Sequence, residues 1–170
     1  SHFAVIFDSA RKTFRNEIYS DYKANRSEAP DDLAPQFKYI RKSVLAFSLP
    51  SVDLINYEAD DLIATYVDQI LKKGAKVTIV SSDKDLMQLY KKNVRIFDPM
   101  KNKFISEEDI QNKFGVDSSK VIDVQALAGD SSDNVPGVPG IGVKTAAELI
   151  NKYGNLEKLL KFAKEIKQNK

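Results

Sequence analysis

A chain of 170 residues with 42% hydrophobic and 29% charged side chains has the length and balance of a single soluble domain that buries its own core. It has no cysteine, which excludes disulfides, thiolate zinc sites and Cys nucleophiles, and its single histidine, His2, gives a Ser-His-Asp triad or a histidine metal cluster almost nothing to build on. The net charge of +2 hides an asymmetry: residues 1–134 carry 19 basic and 21 acidic side chains, whereas residues 135–170 carry seven lysines against Glu148, Glu157 and Glu165. Such a lysine-rich end is either a solvated helix face or an electrostatic footprint for a polyanion.

In chain order, FAVIF (3–7) predicts a buried strand ending at Asp8. The next stretch has no clean period and interleaves Arg11, Lys12, Arg15, Lys23 and Arg26 with Phe14, Tyr19 and Tyr22, which predicts a partly helical, mobile segment over 11–28. Leu33, Phe37, Ile40, Val44 and Phe47 recur at helical spacing and predict an amphipathic helix over 31–48, stopped before Pro50. A short strand at 52–55 and a helix over 58–73, ended by Gly74, come next. KVTIV (76–80) and VRIFD (94–98) predict strands on either side of a short helix in DKDLMQLY. From about residue 106 no strand signal remains. SEEDIQNKFG opens with a capping box from Ser106 to Asp109, SSKVIDVQALAG follows, and two helices over about 141–153 and 155–167 close the chain, the second capped by Asn155. Strands alternating with helices predict a parallel α/β core over 1–105, and the helical remainder predicts an all-helical subdomain over 106–170. No segment approaches the ~20 apolar residues of a membrane helix, which points to a cytoplasmic protein that does not engage membranes.

The carboxylates fall in four places: Asp8 after a strand, Glu58, Asp60 and Asp61 in YEADDL, Asp83 and Asp85 in SSDKDL, and Asp130 and Asp133 in GDSSDNVPGVPG. Each has an ordinary explanation. Acids in a first helical turn complement the helix dipole, and Asp, Ser, Pro and Gly build turns. Turn and cap chemistry does not explain their recurrence where an α/β topology forms its cleft, beyond the carboxyl ends of strands. Several carboxylates gathered there repel unless cations neutralise them, and hard divalent ions with oxygen ligands meet that need.

Taken together, YEADDL, SSDKDL, GDSSDNVPGVPGIGVKTA and FDSARKTFRNEIYSDYKANR resemble the 5′-nuclease family, most closely the 5′–3′ exonuclease domains of bacterial polymerases, over nearly the whole chain. The resemblance implies a PIN/5′-nuclease-like core and a divalent-metal-dependent 5′–3′ exonuclease or 5′-flap endonuclease that hydrolyses DNA phosphodiesters in replication and repair. It implies two or more Mg²⁺ (or Mn²⁺) ions. One site would use Asp8, Glu58 and Asp60, and the second Asp83, Asp85 and Asp133, with Asp60 shared and Asp61 and Asp130 supporting. Residues 11–28 resemble the start of the family's helical arch, where Arg15, Tyr22, Lys23 and Arg26 match residues that handle the scissile phosphate or thread a single strand.

The Pro-Gly stretch resembles a helix-hairpin-helix at about 134–153. There Val135, Gly137, Val138, Gly140, Ile141, Gly142, Lys144 and Thr145 fit a duplex-gripping pattern that in the family often holds a K⁺ ion. The family begins with an earlier strand ending in an Asp-Gly pair, and nothing but Ser-His precedes FAVIFD here. The expectation is a monomeric fragment cropped at both ends, joined in the full protein to a polymerase region. Two rivals stand beside this reading. An aspartyl-phosphate phosphatase would explain D-K-D but leaves the hairpin and EADD without a role. A catalytically incomplete fragment that only grips duplex DNA would keep the hairpin and need no metal.

Overall fold

The computed structural model describes residues 2–165, which form two compact units, residues 2–69 with 132–134, and residues 70–131 with 135–165. In the first unit, strand β1 (Val5–Ile6) pairs in parallel with β2 (Ser51–Val52). Strand β1 is shorter than its apolar run, and β2 shares only Val52 with the strand expected at 52–55. The ladder is bounded on one side by Pro50, which accepts from Val5 N at 2.9 Å but has no N–H to return. Helix α1 (Phe14–Ile18) is one turn long, and Thr13 N donates to Asn16 Oδ1 at 3.0 Å at its start.

Helix α2 (Gln36–Ala46) begins later than residue 31, behind a run of turns and Pro35, whose fixed φ suits a helix start. Its apolar stripe is not buried: Phe37 and Ile40 remain 50% and 45% exposed. The period is helical, but burial does not follow from it. Helix α3 (Ala59–Lys72) buries Val67 and is ended by Gly74 at φ +73.

The second unit holds β3 (Val77–Val80) and β4 (Val94–Asp98), parallel and in register from Val77 opposite Val94 to Val80 opposite Phe97. A third strand, β5 (Lys103–Phe104), runs antiparallel to β4. It was not predicted, because two residues behind a left-handed Asn102 (φ +51) show no alternation to read. The expected all-parallel arrangement is therefore one parallel pair and one mixed three-stranded sheet. The DKDL helix is a 3₁₀ turn, Asp85–Leu89.

Helices α4 (Glu107–Phe114), α5 (Val121–Ala128), α6 (Val143–Tyr153) and α7 (Leu156–Lys161) complete the unit. The Ser106–Asp109 capping box forms as read, and Asn155 accepts from Lys158 N at 2.9 Å. The core lies between sheet and helices, with Ile96, Ile110, Val121, Val124 and Ile150 almost wholly buried.

Between α5 and α6 the chain makes a backbone-to-backbone contact that only glycine permits. A Cβ on Gly129, at φ +72, would stand 2.3 Å from Gly137 N, and a Cβ on Gly137 would stand 2.3 Å from Ala128 O. Gly140 is also left-handed, at φ +80, but faces open space. Replacing Gly129 by alanine is therefore expected to cost about 3 kcal/mol, through clash added to strain, against about 1 kcal/mol for Gly140→Ala. Urea unfolding of the two variants checks the order, and equal losses would contradict the close approach.

Candidate metal and phosphate site

In the first unit the start of α3 gathers acids and the 11–28 segment supplies cations. Glu58, just ahead of α3, is 8% exposed. Its Oε2 accepts from Lys23 Nζ at 2.8 Å and from the Tyr22 hydroxyl at 3.2 Å. The same hydroxyl lies 3.2 Å from Asp133 Oδ2, and Lys23 Nζ lies 3.9 Å from that oxygen. Asp133 also accepts a short hydrogen bond from Arg26 Nη2, and its carbonyl accepts from Lys23 N at 2.8 Å. Asp61 takes both guanidinium N–H groups of Arg15 at 2.8 Å and accepts from Glu58 N at 3.0 Å.

Asp8 Oδ1 caps α3 by accepting from Ala59 N at 2.8 Å, and Asp60 occupies the first turn of α3. The resemblance gives Arg15, Tyr22, Lys23 and Arg26 to phosphate handling or strand threading; the structure brings all four into direct contact with these acids. The segment expected to be mobile is tied to the acids at each of these four side chains.

These contacts set the charge states. Arg15, bonded to Asp61, is held above its ordinary value, and Arg15 in turn holds the Asp61 carboxyl below the usual range. Burial, reinforced by the charges of Glu58 and Asp133, pushes the Tyr22 hydroxyl well above the ordinary tyrosine range, so it remains a donor. Burial works against the Arg26 charge, but Asp133 outweighs it and the guanidinium is held up.

The second unit holds the other acids. Asp83 Oδ1 accepts from Asp85 N at 2.9 Å, which closes the turn after β3. Asp85 accepts from Gln125 Nε2 at 2.6 Å and lies 3.9 Å from Lys84 Nζ. Lys84 also makes a short ion pair with Asp130, whose backbone exchanges two hydrogen bonds with Val135 at 2.9 and 2.8 Å. Burial raises the Asp85 carboxyl above its ordinary value. Lys84 and Gln125 escaped sequence reading. The lysine between two aspartates in D-K-D was a visible signal for the first, whereas nothing local marked Gln125.

In the hairpin, Gly140, Gly142, Lys144 and Thr145 are exposed and Ile141 is half-buried. Gly142 is the N-cap of α6 and brings no side chain to its first free N–H groups.

Among the described residues, no group of three or more acids is arranged to hold an ion. Two carboxylates nevertheless share one cation there: Glu58 and Asp133 offer hard oxygen atoms of the kind a divalent ion takes, and the Lys23 ammonium reaches both.

The sequence profile described as the 5′–3′ exonuclease N-terminal resolvase-like domain matches residues 1–115, and that of the 5′–3′ exonuclease C-terminal SAM fold matches residues 116–170. The chain belongs to the 5′–3′ exonuclease family. It is 56% identical to DNA polymerase I of Rhizobium leguminosarum, over the whole chain but 17% of that protein. It is 44% identical to the 5′–3′ exonuclease of Aquifex aeolicus over 94% of the chain and 55% of that protein. Thus it spans little more than half, or much less, of the relatives it matches.

Among solved structures, bacteriophage T5 5′-exonuclease with divalent metal ions (zinc) bound superposes with a TM-score of 0.85 at 25% identity, over 99% of this chain and 66% of that one. The T5 flap endonuclease in a complex with DNA and metal ions superposes at 0.81 and 26% identity, over 94% of this chain and 63% of that one. No helix among the described residues of this exonuclease-family chain is long and apolar enough to cross a membrane.

The two shifted acids should affect stability in opposite directions. Asp61 has a folded-state pKa below its unfolded value, so it stabilises the fold above about pH 4 and that stability is lost as pH falls through the folded value. Asp61→Asn should cost about 1 kcal/mol at pH 7 and flatten the acid limb of the stability profile. Burial raises the folded-state value of Asp85, so its contribution to stability is lost as pH climbs from about 4 through that folded value, and Asp85→Asn should gain about 1 kcal/mol at pH 7. Urea titrations from pH 3 to 7 check both signs.

Proposed function

We propose that the chain is the nuclease part of a longer protein, a divalent-metal-dependent 5′–3′ exonuclease and 5′-flap endonuclease acting on DNA. The observation that supports it best is the meeting of Glu58 and Asp133 on one ammonium and one phenol, with Arg15 and Arg26 beside them. Acids that attract cations and cations that attract phosphate share one place in the first unit. Two neighbours with the same fold are a 5′-exonuclease with divalent metal ions (zinc) bound and a flap endonuclease in a pseudo-enzyme–product complex with DNA and metal ions, which supports the reading.

The residues that would hold ions are Asp8, Glu58, Asp60, Asp61 and Asp133 in the first unit and Asp83, Asp85 and Asp130 in the second. Mg²⁺ or Mn²⁺ suits their all-oxygen chemistry, and such ions, when bound, supply an ionised water and neutralise charge on the leaving oxygen. The chain's own side chains do the rest. Lys23 and Arg26 bind the scissile phosphate and neutralise the charge that grows on its oxygens. Arg15 fixes Asp61, and through it the Glu58 backbone, at the head of α3. Tyr22 keeps its proton and orients Glu58 and Asp133.

In the second unit, Lys84 and Gln125 orient Asp130 and Asp85. The N–H groups at the start of α6, with Gly140, Gly142, Lys144 and Thr145, bind duplex phosphates without reading bases, and carbonyls of the hairpin suit a K⁺ ion. The nuclease core over 1–105 and the helical grip over 106–170 divide the work, in a monomeric protein of the cytoplasm whose remaining length includes a polymerase region.

Cleavage of a labelled 5′-flap duplex tests the reading. Activity should require Mg²⁺, vanish with EDTA, and fall at least about a hundredfold in Lys23→Ala and in Asp133→Asn. Salt-sensitive duplex binding that persists while no variant, nor the unaltered protein, cleaves would instead mean a DNA-gripping fragment.

A further inference from the structure

Lys23 sits in left-handed backbone, at φ +56. A non-glycine residue pays roughly 1 kcal/mol or more for that conformation, so its surroundings must hold it there. They do so at both ends of the residue. The backbone N–H donates to the Asp133 carbonyl at 2.8 Å, and the ammonium lies 2.8 Å from Glu58 and 3.9 Å from Asp133. The Glu58 and Asp133 side chains are only 11% and 13% exposed, so water screens them poorly. Arg26 completes the neutralisation from the Asp133 side. A divalent ion approaching these oxygens would meet two positive side chains already bonded to them, and like charges at that range repel strongly.

Resting on the reading of Glu58 and Asp133 as ion ligands, we propose that Lys23 and Arg26 are a resident counter-charge that a divalent cation has to displace. The same two side chains are the ones that bind the substrate phosphate. A phosphate that draws Lys23 and Arg26 to itself therefore frees both carboxylates, and DNA and divalent ion bind with positive coupling. By linkage, the ion tightens DNA binding by the same factor. The arrangement keeps the acids neutralised, and the ions weakly held, until a phosphate arrives.

Calorimetric titration of the full chain with Mn²⁺ alone, without nucleic acid, tests this. Lys23→Met should bind Mn²⁺ about tenfold more tightly than the unaltered protein. Lys12→Met, which removes an exposed lysine outside the network, should change affinity less than about twofold. Lys23→Arg, which keeps the charge, should stay near the unaltered value. Binding that is abolished by Glu58→Gln yet unchanged or weakened in Lys23→Met would overturn the displacement while leaving the ion site standing. Mn²⁺ binding indifferent to Glu58→Gln would overturn both.

Discussion

One tyrosine hydroxyl and one ammonium, shared between Glu58 and Asp133, hold the first unit's acidic cluster together. Two poorly solvated carboxylates from distant parts of the chain repel unless something positive joins them, and breaking such a pairing leaves a buried charge without compensation. The local backbone is arranged around that need. Asn134 Nδ2 donates to the Asp21 carbonyl at 2.7 Å, and Asn16 Nδ2 to the Tyr22 carbonyl at 3.1 Å, which secures the turn that carries Tyr22, Lys23 and Arg26. Arg15 reaches Asp61 from the one-turn helix preceding it. Segment 11–28 therefore owes its conformation to its ion pairs more than to any apolar face.

The second unit answers the same electrostatic problem with fewer charges. Lys84 lies between Asp85 and Asp130, and an amide from α5, Gln125, satisfies the Asp85 carboxylate. Burial still raises the Asp85 carboxyl above its ordinary value, so its charge costs the fold some stability. The glycine contact between Gly129 and Gly137 carries the chain from α5 into the hairpin, directly after the acids, so that Asp130 and the start of α6 belong to one short stretch.

Much of this was legible beforehand because the determinants are local. The Ser106–Asp109 box, the Asn155 cap and the Gly74 stop are each written within a few residues, and each formed as read. The acids were legible as four clusters. What could not be read depended on distant partners. The apolar stripe of α2 gives its period but not what covers it. Strand β5 exists only because β4 offers an edge beside it, and Gln125 matters only because folding brings it to Asp85. The pairing of Lys23 with Glu58 and Asp133 has no local signature either, since a left-handed lysine is chosen by its contacts and not by its own preference.

The most direct test of that pairing is a double-mutant cycle on stability, with Lys23→Met and Glu58→Gln singly and together, measured by urea unfolding in EDTA. A shared, poorly solvated ion pair predicts a coupling energy of about 1–3 kcal/mol, with the double variant more stable than the two losses added would allow. Losses that add to within about 0.3 kcal/mol would mean that Lys23 and Glu58 do not interact in solution, and the network described here would not stand.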